Sequence, residues 1–356
     1  MRLFKSIVPP IALLAAWFIT LTGAWTDIGR AIAVELRERS ADSAGDPLSG
    51  TILTDGHDLG MPTRLVVAGD ELIVLDRYRA EPIIALDRHS GRLLRSFGSE
   101  GDGPGEFRSP VAIVADESAV AVLDVGLNRI TWLAPRPDGF ALVTTTQLEL
   151  ESAATDFVVT TAGEYLASGF LADGRLARLD REGALRGYVG SPKRLHGLPR
   201  ERQIEALQGA VRAIPAGGRL VRTSRFASHI EVMDARSLRS IDAWGPDRFE
   251  PTSGRYETRF GYLDSAPYSG GFFTLFSGRT REDYPERANY GSRVHEFGWD
   301  GRFKAEHRLD ADLIAIAWSE EDGLLYAVRH EPVPAVVVYP NVRPSALDFG
   351  GPGNSD

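Results

Sequence analysis

Met61-Pro62-Thr63-Arg64-Leu65-Val66-Val67, followed after a short turn by Glu71-Leu72-Ile73-Val74-Leu75-Asp76, returns further along as Ser109-Pro110-Val111-Ala112-Ile113-Val114 and Ala119-Val120-Ala121-Val122-Leu123-Asp124. Pro62 and Pro110 are 48 residues apart, as are Asp76 and Asp124, so the two units repeat in phase. Each unit holds an apolar strand, a turn at a glycine or acidic residue and a second apolar strand. Two further strands follow around a turn such as Asp87-Arg88-His89-Ser90-Gly91. Four short strands in roughly 40–50 residues is the arithmetic of a propeller blade, a unit that cannot bury its faces alone.

Weaker copies continue the series. A third runs from Thr155 through Gly163-Glu164-Tyr165-Leu166-Ala167 to Leu179-Asp180. A fourth holds Val211 to Ile214, Arg219-Leu220-Val221-Arg222 and Ile230 to Asp234. A fifth has Gly271 to Phe276 and Val294 to Gly301. A sixth has Leu313 to Trp318, Leu324 to Val328 and Ala335 to Tyr339. The fold class read from this is all-β, a six-bladed β-propeller, with a strand around Thr51-Ile52-Leu53 completing the last blade and removing the open sheet edges. Two stretches break the strand rhythm: a short helical pattern at Arg200 to Leu207, and a polar insertion from Gly278 to Gly291 of the kind that shapes a propeller's binding surface.

Composition agrees with many short strands joined by turns, since 37 glycines and 21 prolines punctuate aromatic and β-branched runs. A net charge of −9 argues against a generic nucleic-acid binder. The absence of cysteine excludes disulfides, thiolate metal sites, a catalytic thiol and lipoprotein acylation. Arg2 and Lys5 precede an uncharged apolar run from Ile7 to Trp25, which predicts an N-terminal hydrophobic helix serving as signal peptide or transmembrane anchor. Positive charge on its N-terminal side places the rest of the chain across the membrane, in the periplasm or outside the cell, or secreted if the leader is cut near Thr22-Gly23-Ala24. The expected organisation is leader 1–25, linker 26–50, propeller 51–345 and flexible tail 346–356.

The junction Gly98-Ser99-Glu100-Gly101-Asp102-Gly103-Pro104-Gly105-Glu106-Phe107-Arg108-Ser109-Pro110, with Val122-Leu123-Asp124 and Asn128-Arg129-Ile130 downstream, resembles the repeat signature of NHL propellers. Phe276-Ser277-Gly278 and Phe297-Gly298-Trp299-Asp300-Gly301 resemble the TolB-like six-bladed propellers of bacterial envelopes. The resemblance implies a non-catalytic binding module. The glycine-rich junction is not read as a phosphate cradle: Pro110 and a β-strand follow it where a cradle needs a helix N-terminus, so a tight turn anchored by Phe107 is the better reading.

The repeat-equivalent Asp76 and Asp124 are carboxylates available for acid/base work or calcium, but turn-capping is the commoner use. Propeller lactonases hold calcium with Glu, Asn and Asp; Glu106 and Asn128 match by type only, so a metal-assisted hydrolase, lactonase or lyase in the central pocket stands as the alternative. The seven histidines show no zinc spacing, and no cofactor or metal is expected. The preferred site is a rim where second strands end: Arg77, Arg225, Arg279, Arg329 and His330. Guanidinium groups there are suited to an anionic ligand or an acidic peptide. Ordinary pairing with neighbouring acids such as Asp76, Glu81 and Glu331 is the competing explanation in a chain with 37 arginines. A purely structural role with a protein partner in the envelope is the remaining reading.

Overall fold

The computed structural model describes residues 46–345 except 56–58, 172, 191–197, 207, 215–217 and 252–256. The expected N-terminal hydrophobic helix and the tail from 346 lie outside the described residues, as do His57 and His196. Among the described residues no helix is long and apolar enough to cross a membrane.

From Leu48 onward the chain is built almost wholly of strands. The first, β1 (Thr51–Thr54), joins the last sheet to form. Four antiparallel four-stranded meanders then follow in chain order. They are β2 (Pro62–Ala68), β3 (Glu71–Asp76), β4 (Ile83–Asp87) and β5 (Leu93–Phe97); then β6 (Pro110–Ala115), β7 (Val120–Asp124), β8 (Arg129–Arg136) and β9 (Gly139–Gln147). The third comprises β10 (Ala154–Val159), β11 (Tyr165–Gly169), β12 (Leu176–Leu179) and β13 (Leu185–Val189). After the helix α1 (Arg200–Ala206) come β14 (Val211–Ala213), β15 (Arg219–Thr223), β16 (His229–Asp234) and β17 (Ser240–Trp244).

The remaining strands are β18 (Tyr262–Tyr268), β19 (Gly271–Phe276), β20 (Gly291–Phe297), β21 (Phe303–Ser319), β22 (Leu324–Arg329) and β23 (Ala335–Tyr339). With β1 they make one seven-stranded sheet in the order β1-β23-β22-β21-β20-β19-β18. The 17-residue β21 changes partner along its length: Phe303 to Arg308 pair with β20, and Leu313 to Ser319 pair with β22. The strand expected at Thr51 is present, and Thr51 and Ile52 pair with Val338 and Val337.

In each meander the inner strands are the most buried and the last strand the least. β3, β7 and β19 are buried along nearly their whole length, as strands covered on both faces must be, whereas β17 is mostly exposed. The first strands contact one another in sequence, β2 with β6, β6 with β10, β10 with β14 and β14 with β18. β21 then contacts both β18 and β2. One apolar cluster joins Leu65, Leu72 and Val74 to Ala315, Tyr326 and Val336, so the two ends of the chain's sheets share a core. This is an all-β, propeller-like arrangement.

A β-bulge recurs in these first strands. Pro62 pairs with Asp76 but Arg64 with Leu75, and the same one-residue slip separates Pro110 from Ala112, Ala154 from Asp156, Tyr262 from Asp264 and Leu313 from Ala315. A bulge re-aims the side chain that follows it. The residues so placed include Arg64, Asp156 and Asp264.

Asp76 and Asp124 are fully buried and work as turn caps. Asp76 accepts the Gly60 and Met61 amides, both at 2.6 Å; Asp124 accepts those of Arg108, Ser109 and Leu127 at 2.7, 3.1 and 3.1 Å. The glycine-rich junction closes on itself. Glu106 accepts the Gly103 amide, and the Arg129 guanidinium donates to the carbonyls of Asp102, Gly103 and Glu106. Phe107 is buried beneath it, 2.8 Å from where a Cβ on Gly98 (φ +103°) would stand. The amides of Gly101, Gly103, Glu106 and Phe107 all donate within the junction, as a tight turn requires.

Candidate anion-binding site

The loop from Ser224 to Ser228, between β15 and β16, is pinned on both sides by main-chain bonds. The Arg225 amide donates to Gln208 O (2.9 Å), and the Gly261 amide donates to Arg225 O (2.6 Å). Such an approach requires glycine at two positions: a Cβ on Gly209 would lie 1.5 Å from Thr223 O, and one on Gly261 1.8 Å from Ala227 O. Arg225 is thereby presented to a recess of about 450 Å³. One wall comes from the insertion after β19, with Arg281, Pro285, Ala288 and Asn289. The others come from Phe170 after β11, Glu205 and Gln208 at the end of α1, and Phe226 and Phe260. The volume lies in the range of small-molecule sites. A cleft of about 30 Å³, room for water only, shares Glu205, Phe226, Phe260 and Arg281 with it.

The recess is electropositive where Arg225 enters. Burial, and then the nearby Arg64 and Arg281 guanidinium groups, push the Arg225 pKa down to about 10. No carboxylate of a described residue pairs with Arg225. Glu205, the acid on the wall, is already bonded to Arg202 one helical turn before it. A half-buried cation surrounded by like charge is an arrangement that an incoming anion relieves.

Of the five rim residues expected from the sequence, Arg225 alone lines this recess. Arg279 is clamped by both oxygens of Asp312 (2.6 and 2.9 Å), which anchors the insertion to β21. His330 uses both ring nitrogens, one on Pro62 O (2.7 Å) and one on the Tyr290 hydroxyl (3.1 Å). Arg77 is exposed and reaches the Ser109 hydroxyl at 3.2 Å; Arg329 ends β22, half-buried. The five are therefore not gathered into one cluster, and pairing with acids accounts for Arg279. Arg64, Arg281, Gln208 and the three phenylalanines were not singled out by the sequence.

No three metal-ligating side chains come together among the described residues. Glu106 serves its own turn, and Asn128 donates to Leu148 O and Leu150 O. Ser224, His229 and Asp242 form a chain of hydrogen bonds at 3.2 and 2.8 Å in the order of a hydrolase triad. Ser224, however, is 3% exposed and does not line the recess.

A second such chain, Tyr262–His295–Glu306 with both bonds 2.9 Å, lies in the seven-stranded sheet. His295 is fully buried and stacks on Phe276, and burial holds its pKa below the usual value despite Glu306. An imidazole lowered in the folded state contributes its full stability above about pH 6.5 and loses it as pH falls through the folded value. Glu306, lowered chiefly by its bond from His295, adds a loss below its own unfolded pKa. The expected result is a melting midpoint that drops between pH 7.5 and 5.5, and drops less in His295→Gln. Equal slopes in the two proteins would rule His295 out as the titrating group.

No family model matches the chain, and no curated protein sequence does. Among solved structures, the chain resembles a "Putative exported protein" of Bacteroides fragilis NCTC 9343 with a TM-score of 0.57 and 10% identity, over 82% of this chain and 94% of that one. It resembles the RRP9 WD40 repeats with a TM-score of 0.52 and 12% identity, over 83% of this chain and 99% of that one. U3-55K gives 0.52 and 13%, over 82% and 98%. At these identities the likeness speaks to fold alone, and the fold it shows is that of a β-propeller.

Proposed function

We propose that the chain is a six-bladed propeller of the envelope type, exported behind its N-terminal apolar run, and that it binds a small anionic ligand in the recess at Arg225. Six repeats are supported by the unbroken succession of first strands and by the bulge that both halves of the seven-stranded sheet share with the earlier units. The TolB-like and NHL likeness of the motifs and the resemblance to an exported protein favour the location. The observation that carries the binding role is Arg225 itself, a cation held among like charges in a ligand-sized recess and paired with no carboxylate of the described residues.

The test is thermal unfolding with carboxylates, phosphates and their neutral isosteres, using wild type and Arg225→Met. A ligand at one hundred times its Kd adds about 2.7 kcal/mol. The expected result is stabilisation by anions that Arg225→Met abolishes, with the ligand-free variant melting no lower than wild type because a like-charge conflict has been removed. Anion stabilisation that survives Arg225→Met unchanged, or none at all, would sink the reading.

A further inference from the structure

We infer, on the strength of that anion site, that its ligand is an aromatic carboxylate: a planar ring lying on the phenylalanine wall with its carboxylate on Arg225. The recess is lined by both cationic and aromatic side chains. Arg225 and Arg281 supply the first, and Arg225 offers the planar donor fork that matches a carboxylate. Phe170, Phe226 and Phe260 supply the second, with Pro285 and Ala288 also on the lining. Phe226 and Phe260 form a tilted pair with ring centroids 5.0 Å apart. The Arg281 guanidinium lies 5.6 Å from the Phe260 centroid, so the cationic and aromatic surfaces adjoin.

Phe170 is the informative residue. It is 43% exposed, an unusual state for a phenylalanine, and its backbone is fixed by a 3.0 Å bond from its amide to Ala153 O. A partly exposed ring carried by a fixed backbone at the recess gains by packing on another apolar surface. A polyhydroxylated acid would find partners for its hydroxyls at Glu205, Gln208 and Asn289 but would gain less from the three phenylalanine rings than a planar aromatic does.

The experiment measures binding of 2-naphthoate, glucuronate, inorganic phosphate and neutral 2-naphthamide to the wild-type protein, to Phe170→Ala and to Arg225→Met. Because Phe170 is exposed, Phe170→Ala is expected to melt with wild type, which keeps the comparison free of misfolding. Naphthoate is expected to bind at least about tenfold tighter than glucuronate or naphthamide. Phe170→Ala is expected to weaken naphthoate several-fold and leave glucuronate unchanged, and Arg225→Met to abolish naphthoate binding. Glucuronate or phosphate binding as tightly as naphthoate and still depending on Arg225 would overturn the aromatic assignment and leave the anion site standing. Failure of every anion to bind would overturn both.

Discussion

Arg212→Met is expected to cost about 3–5 kcal/mol at neutral pH, the range for removing one partner from a buried ionic group. Arg212 sits on β14 between two nearly inaccessible carboxylates: Asp156 of β10 at 2.6 Å and Asp264 of β18 at 2.8 Å. Burial alone would lower the guanidinium pKa, but the two acids together push it above its ordinary value. Asp156 also accepts the Phe157 and Val211 amides, and Asp264 that of Ile316, so both are tied into the strands they join. Three sheets meet at this group. Burial already raises the Asp264 pKa, with Arg212 and then Arg64 opposing it. Without Arg212 the folded-state pKa of Asp264 is raised further, and the variant's handicap is largest above that value and shrinks as pH falls and Asp264 takes up a proton. The measurement is the difference in unfolding free energy between wild type and variant at pH 8 and pH 5, with Arg212→Met/Asp264→Asn as the rescue. A deficit under about 1 kcal/mol, or one that does not change with pH, would show that the triad is not the determinant assumed here.

The same triad shows what a sequence reader could and could not see. The phase of Pro62 with Pro110 and of Asp76 with Asp124 is legible because the same local bonding, a carboxylate capping the turn before the first strand, is written into both units. The third and fourth units blur because Gly169 and Thr223 end the strands that β3 and β7 end with aspartate. Arg225 could be picked out because it follows a second strand, but the same rule picked Arg279, whose partner Asp312 lies 33 residues away and is invisible to local pattern. A better signal existed. Arg64, Asp156, Arg212 and Asp264 are the charged residues of four largely apolar first strands, each near the strand's start, where a charge is costly unless the strands meet around a shared polar centre. Reading those four positions together would have pointed to the buried triad. The aromatic wall had no such mark, since Phe170, Phe226 and Phe260 come from three different loops and share no spacing.

Glu231→Gln should be comparably damaging, for the opposite electrostatic reason. Glu231 on β16 is 2% exposed and divides its oxygens between two arginines, Arg175 at 2.5 Å, just before β12 of the third sheet, and Arg222 at 3.0 Å from β15. Arg222 is its register partner, so strand pairing itself sets one of the two bonds. Burial already lowers the Arg222 pKa, Glu231 opposes this and Arg175 adds to it. Neutralising the carboxylate that Arg175 and Arg222 share removes the charge that offsets their mutual repulsion in a buried site. The expected loss is again about 3–5 kcal/mol. Because arginine does not release its proton in the accessible range, this deficit should stay flat between pH 8 and 5, unlike that of Arg212→Met. Glu231→Gln/Arg222→Met should recover much of the stability by removing one of the opposed charges. A double variant no more stable than Glu231→Gln would mean that packing around Glu231, and not charge balance across the third and fourth sheets, is what the carboxylate maintains.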